Sequence, residues 1–149
     1  MWGGVWDLLW TSVALTWSVA LTVTDLRERR LPDALTLPAV AVVWVWCVFH
    51  AHLWALTGAL AWWVLCTLPG TLGPRLRIGG GDAKLALSLG AAAAVAGGPV
   101  GWWVAVTASS LITLLFAVPS RRVDESRRPG LPHGPGMLVG TWLSIFLTM

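Results

Sequence analysis

Charge is scarce in this chain. Only 11% of its 149 residues are charged and 56% are hydrophobic, where a soluble domain carries about 25% charge. Too little polar surface remains to cover a soluble globule, which excludes that class and leaves the lipid bilayer as the natural solvent. Cysteine is almost missing. Cys47 and Cys66 lie inside apolar runs with no Cys-x-x-Cys, which excludes a disulfide framework and a thiolate metal site and leaves two small buried hydrophobes. No His–Glu helix motif occurs, and the glycines precede an acid that would repel phosphate, so no metal or other cofactor is expected. Tyrosine is absent while tryptophan appears twelve times. The N-terminus lacks the basic stretch of a secretory signal and reads as part of a first membrane helix.

A sequence pI near 9.7 raises the question of nucleic acid. The positions of the cations answer it. Arg27, Arg29 and Arg30 form one cluster, Arg75, Arg77 and Lys84 a second, and Arg121, Arg122, Arg127 and Arg128 a third. They punctuate apolar runs, as the positive-inside rule describes, and make no continuous basic face for a nucleic acid.

The length leaves room for one domain, residues 1–149. With about 20 apolar residues needed per crossing, the expected architecture is all-α with six membrane spans. They run over residues 5–24, 34–49, 53–72, 83–96, 100–118 and 134–149. Pro32 and Gly97-Gly98-Pro99 mark two of the turns. Loops one, three and five hold every Lys and Arg, which orients the chain with both termini outside and those loops in the cytoplasm. Ala86, Gly90, Ala94 and Gly98 recur every fourth residue and line one face of the fourth span with small groups, allowing close helix approach. Trp2, Trp54, Trp102 and Trp103 fall at outer helix ends, as an aromatic belt would, and Trp2, Trp6 and Trp10 share one face. Trp62, Trp63 and Trp142 lie deeper without an evident role.

Acids number only seven, and an acid at a bilayer edge is costly unless used. Asp82 follows Gly79-Gly80-Gly81, and Asp25 ends the first apolar span. The expected topology returns both to the cytoplasmic boundary. Amide hydrolysis needs a base for water and an acid for the departing amine. Two carboxylates in close range share one proton and so supply both roles. Helix ends favour the proton on Asp25 and the charge on Asp82. The bland alternatives are a helix cap at Asp82 and an ion pair from Asp25 to Arg29.

Gly79-x-Gly81-Asp82-x-Lys84-Leu85 resembles the Gly-x-Gly-Asp-x-Lys-Leu motif of the prepilin peptidases, the type IV leader peptidases. Asp25, followed by Arg29-Arg30-Leu31-Pro32-Asp33, is similar to that family's first motif, an Asp with a basic stretch leading to Ile-Pro-Asn. Pro132-His133-Gly134-Pro135 is similar to the Pro-Phe-Gly-Pro that opens its last helix. The resemblance implies catalytic roles for Asp25 and Asp82, supported by Pro32, Asp33, Gly79, Gly81, Lys84, Gly134 and Pro135. It implies cleavage of the short basic leader of type IV prepilins or pseudopilins at the cytoplasmic membrane face, in pilus assembly, secretion or DNA uptake. Asp33 stands where the family has Asn; it either caps the second helix, contacts a basic leader or competes for the base role. His133 stands where the family has an aromatic residue. The Cys-x-x-Cys domain linked to N-methylation in longer members is absent here, so peptidase activity without methyl transfer is expected.

Two other readings compete. A presenilin-type protease also uses Gly-x-Gly-Asp, but its Tyr-Asp and Pro-Ala-Leu motifs are missing. A small transporter or secretion-machine subunit would use the two acids as a proton or cation relay, and would hold them facing a polar cavity at bilayer depth.

Overall fold

A backbone in hydrocarbon must satisfy its own hydrogen bonds, by helix or closed barrel. The computed structural model takes the helical solution and describes residues 4–28, 31–73, 79–120 and 133–148. All elements among the described residues are helices: α1 (Val5–Glu28), α2 (Asp33–Phe49), α3 (Ala55–Leu72), α4 (Gly80–Ser120) and α5 (Gly134–Thr148).

Six spans are not what results. Among the described residues, three helical segments are long and apolar enough to cross a membrane: Leu8–Glu28, Ala55–Leu72 and Gly80–Leu115. The 17 residues of α2 and 15 of α5 extend about 25 and 22 Å, short of a hydrocarbon core of about 30 Å. The expected fourth and fifth spans are joined in α4. The orientation with both termini outside is not supported either. It rests on basic clusters of which Arg29, Arg30, Arg75, Arg77, Arg121, Arg122, Arg127 and Arg128 lie outside the described residues.

The expected turn inside α4 is present. Gly97 (φ −130°, ψ 16°) and Gly98 (φ 61°, ψ −152°) leave helical geometry. A Cβ on Gly101 would lie 3.0 Å from the Ala93 carbonyl oxygen, whereas eight residues along an unbroken helix are about 12 Å apart. The chain therefore doubles back at this point. The Gly98 torsions belong to a region that only glycine visits freely. A Cβ there would meet nothing within 4 Å, so Gly98→Ala isolates the backbone cost. A destabilisation of about 1–3 kcal/mol, read as a lowered melting temperature in detergent, is expected.

The packing is inverted relative to a soluble protein. Much of the core is alanine, including Ala55, Ala59, Ala86, Ala91, Ala93 and Ala105, while Val5, Leu8, Trp10, Leu111, Leu115 and Phe146 face outward. Lipid solvates the large side chains, so helices gain most by approaching closely through small ones. Gly58 of α3 meets Gly90 and Ala94 of α4, as the fourth-residue repeat anticipates. Along α5, Gly136 meets Ser109, Gly140 meets Ala105 and Ser109, and Thr148 meets Gly97. This order runs α5 antiparallel to the second half of α4.

Tryptophan supplies four of the polar links between helices. Indole Nε1 of Trp17 donates to the Leu35 carbonyl (3.0 Å), Trp44 to Leu87 (3.0 Å), Trp102 to Gly58 (2.8 Å), and Trp142 to Ser18 Oγ (3.1 Å). Trp102 is thus a buried clasp and not a belt residue. An indole N–H in a bundle interior needs an acceptor, and a neighbouring helix carbonyl provides one. Trp6, Trp10, Trp54 and Trp103 are exposed, as a lipid-facing set requires. Trp2 lies outside the described residues.

Candidate active site

One end of the bundle gathers the termini of several helices. Asp25 sits in the last turn of α1 and Asp82 in the first turn of α4. Both are withdrawn from solvent, at 4% and 7% exposure. Asp82 lies within reach of the Asp25 charge. Few buried acids go without compensation, yet Asp25 Oδ2 has no hydrogen-bond partner among the described residues.

The glycines explain how the acids fit. The Gly79 carbonyl accepts the first amide bonds of α4, from Asp82 (3.1 Å) and Ala83 (3.3 Å). Gly79 therefore begins the helix and Asp82 follows three residues later, so Asp82 is not the capping residue. A Cβ on Gly79 would lie 3.2 Å from Asp82 Oδ2. On Gly81 it would lie 2.7 Å from Leu31 Cβ and 3.2 Å from the Leu31 carbonyl oxygen, while Gly80 faces open space. The first and third glycines of Gly-x-Gly thus have separate jobs, and the middle one is unconstrained. Gly134, at the start of α5, is equally tight: a Cβ there would lie 2.8 Å from Asp25 Oδ2 and 3.3 Å from Leu31 Cδ1. Its backbone therefore lies directly beside the Asp25 carboxyl. Pro135 is buried beside it.

Leu31 joins the two sides. It touches both Gly81 and Gly134, and so spans the ends of α4 and α5 that carry or face the acids. Pro32 holds extended torsions (φ −68°, ψ 137°) before α2 and offers no side-chain cap, since proline favours this conformation and disfavours helix before it. Leu31 was not among the expected site residues. Its only sequence signal is its place before Pro32 in the first motif.

Asp33 opens α2 without capping it. Its Oδ1 instead accepts from Lys84 Nζ at 2.6 Å. The side chains are 58% and 39% exposed, and exposed pairs contribute about 0–1 kcal/mol. A double-mutant cycle of Asp33→Asn and Lys84→Met should give a coupling below about 1 kcal/mol in unfolding. The pair ties α2 to α4 beside Asp82 without burying a charge. The suggested partner of Asp25, Arg29, lies outside the described residues.

Two further side chains reach this end: Cys66, expected only as a buried hydrophobe, and His133 of the third motif. Cys66 of α3, buried, lies within reach of the Asp82 charge. His133 Nδ1 is 2.7 Å from Thr113 Oγ1 of α4. His50 and His52 lie beyond the far end of α2, about 25 Å along the helix from Asp33. Among the described residues no group of three or more potential metal ligands occurs.

Comparison with known proteins shows the family. A family model described as type IV leader peptidase family matches residues 12–118. The prepilin leader peptidase/N-methyltransferase of Neisseria gonorrhoeae is 30% identical, over 95% of this chain and 49% of that protein. Those of Aeromonas salmonicida strain A449 and Pseudomonas putida are each 31% identical, over 94% and 88% of this chain and 50% and 47% of theirs. The chain spans about half the length of these relatives. No solved structure matches it. With the family model covering well over half of its residues, the chain belongs to the type IV leader peptidase family, a family of aspartic-type proteases.

Proposed function

We propose that this chain cleaves the leader peptide from type IV prepilins or pilin-like precursors, with Asp25 and Asp82 as the catalytic pair. The observation that carries the proposal is that two buried acids from distant parts of the chain lie at one end of the bundle, beside glycines and within range of each other's charge. Gly79 leaves room beside one carboxyl and Gly134 beside the other. Glycine at such positions lets a backbone approach closely, as a bound peptide must.

In the proposed reaction one carboxylate takes a proton from water as the oxygen attacks the scissile carbonyl carbon. The other carboxyl gives its proton to the departing amine nitrogen as the C–N bond breaks. Repulsion between close carboxylates keeps one proton on the pair, which supplies both partners at once. The proton is assigned to the pair and not to one residue. Asp33, exposed and already paired with Lys84, stands outside this exchange.

The substrate is met at the cytoplasmic membrane face, because the basic clusters flank the apolar runs on the side where both motif acids fall. For these 149 residues we propose peptidase activity without methyl transfer, since no Cys-x-x-Cys occurs among them. The test is incubation of the detergent-solubilised protein with a prepilin precursor, read as a shortened product with a new N-terminus. Absence of product with folded protein and several precursors refutes the proposal. Proton-coupled transport lost in the Asn variants, with no cleavage by the wild type, would put a relay in its place.

A further inference from the structure

We propose that His133 and Thr113 are positioning residues that hold the start of α5 against Asp25. This inference rests on the reading of Asp25 as half of the catalytic pair.

The geometry forms a short chain of contacts. Thr113 Oγ1 is 2.9 Å from the Ser109 carbonyl oxygen, one turn back in α4, and 2.7 Å from His133 Nδ1. A threonine hydroxyl has one proton to give. With that proton on the Ser109 carbonyl, the hydroxyl accepts from His133 Nδ1–H and both bonds are made. With the proton on Nδ1, the Ser109 contact has no hydrogen. The first arrangement satisfies every partner and fixes the tautomer: proton on Nδ1, lone pair on Nε2. Burial also holds the imidazole below its usual value, which keeps it neutral near pH 7 and compatible with that tautomer.

His133 is well placed to transmit this bond. Its carbonyl accepts the Met137 amide at 3.1 Å and so begins α5. The next residue is Gly134, whose Cα has no room for a side chain beside Asp25 Oδ2. Gly136 of α5 also packs against the Thr113 hydroxyl, so closely that a Cβ there would clash with it. One hydrogen bond thus sets where α5 begins relative to α4. Through a single peptide unit it sets the distance from the Gly134 amide to Asp25. Displacements of about 1 Å at a reacting group are enough to cost large factors in rate.

A bond that merely adds stability and one that positions Asp25 are separated by spectroscopy. Isotope-edited infrared spectra of aspartate-labelled enzyme, with the Asp25 band assigned by its loss in Asp25→Asn, read the hydrogen bonding of that carboxyl without any substrate. Thr113→Val should shift this band. It should also lower kcat per folded enzyme about tenfold, with KM unchanged within about twofold. Thr113→Ser keeps the hydroxyl and should restore both. In parallel, His133→Phe should behave as Thr113→Val, and His133→Asn, whose amide can replace the Nδ1 donor, should restore the band in part. If wild-type enzyme cleaves no precursor, the catalytic reading fails while the band shifts still report the positioning. An Asp25 band and kcat left unchanged in both Thr113→Val and His133→Phe overturn the proposal, and so does a rise in KM alone.

Discussion

Asp82→Asn is expected to lower kcat/KM on a precursor peptide by about 10³-fold or more, with the folded protein recovered in normal yield. The substitution keeps the shape of the side chain and removes its capacity to hold a proton or a charge. At 7% exposure, no bulk water stands ready to replace the lost group. Asp25→Asn should give a loss of similar size. In the proposed pair mechanism the two acids act as a unit, so the double variant should be scarcely worse than either single one. That non-additivity separates a catalytic pair from two independent structural acids, whose losses would multiply. Asp82→Glu should also be severely impaired, since one added methylene moves the carboxyl by more than an ångström. Cleavage persisting in either Asn variant would remove the pair from the mechanism.

The second large effect is structural. Gly90→Leu should destabilise the fold by about 3 kcal/mol or more, to the point where monodisperse protein is not recovered from detergent. A Cβ at Gly90 would lie 2.6 Å from the Gly58 carbonyl oxygen, 2.9 Å from Ala59 Cα and 3.0 Å from Gly58 C. All three are backbone atoms of α3, and no rotamer change moves them aside. The helices would have to separate, which breaks the close approach that holds them together in lipid. It would also stretch the Trp102 bond to the Gly58 carbonyl, now 2.8 Å. Gly90→Ala should be a weaker form of the same defect. Gly73→Ala is the control, since a Cβ there meets nothing within 4 Å. Equal tolerance of Gly90→Leu and Gly73→Ala, judged by melting temperature and elution profile, would disprove the tight α3–α4 contact.

The small-residue repeat shows how far a pattern carries. Ala86, Gly90 and Ala94 were legible as one helix face, and Gly90 and Ala94 do meet a neighbouring helix. The partner, Gly58, was not legible, because the small residues of α3, Ala55, Gly58, Ala59, Ala61 and Gly70, do not single it out. Trp102 shows the opposite failure. Its place near a helix end fitted a belt, but Gly101 and the reversal at Gly97–Gly98 turn it inward to a carbonyl. Asp33 was read first as a cap; the extended Pro32 holds the cap position and leaves Asp33 to Lys84.

Composition and pattern alone settle the helical membrane character of this chain, the boundary position of Asp25 and Asp82, and the turn at Gly97–Gly98. A bilayer sorts residues by polarity along one axis, and that sorting is written directly into linear order. The reach of Leu31 to both Gly81 and Gly134, the Thr113–His133 bond and the number of helices long enough to cross were decided in three dimensions. These depend on how close two helices come, which is a matter of shape between residues far apart in the chain, and a list of apolar residues does not record shape.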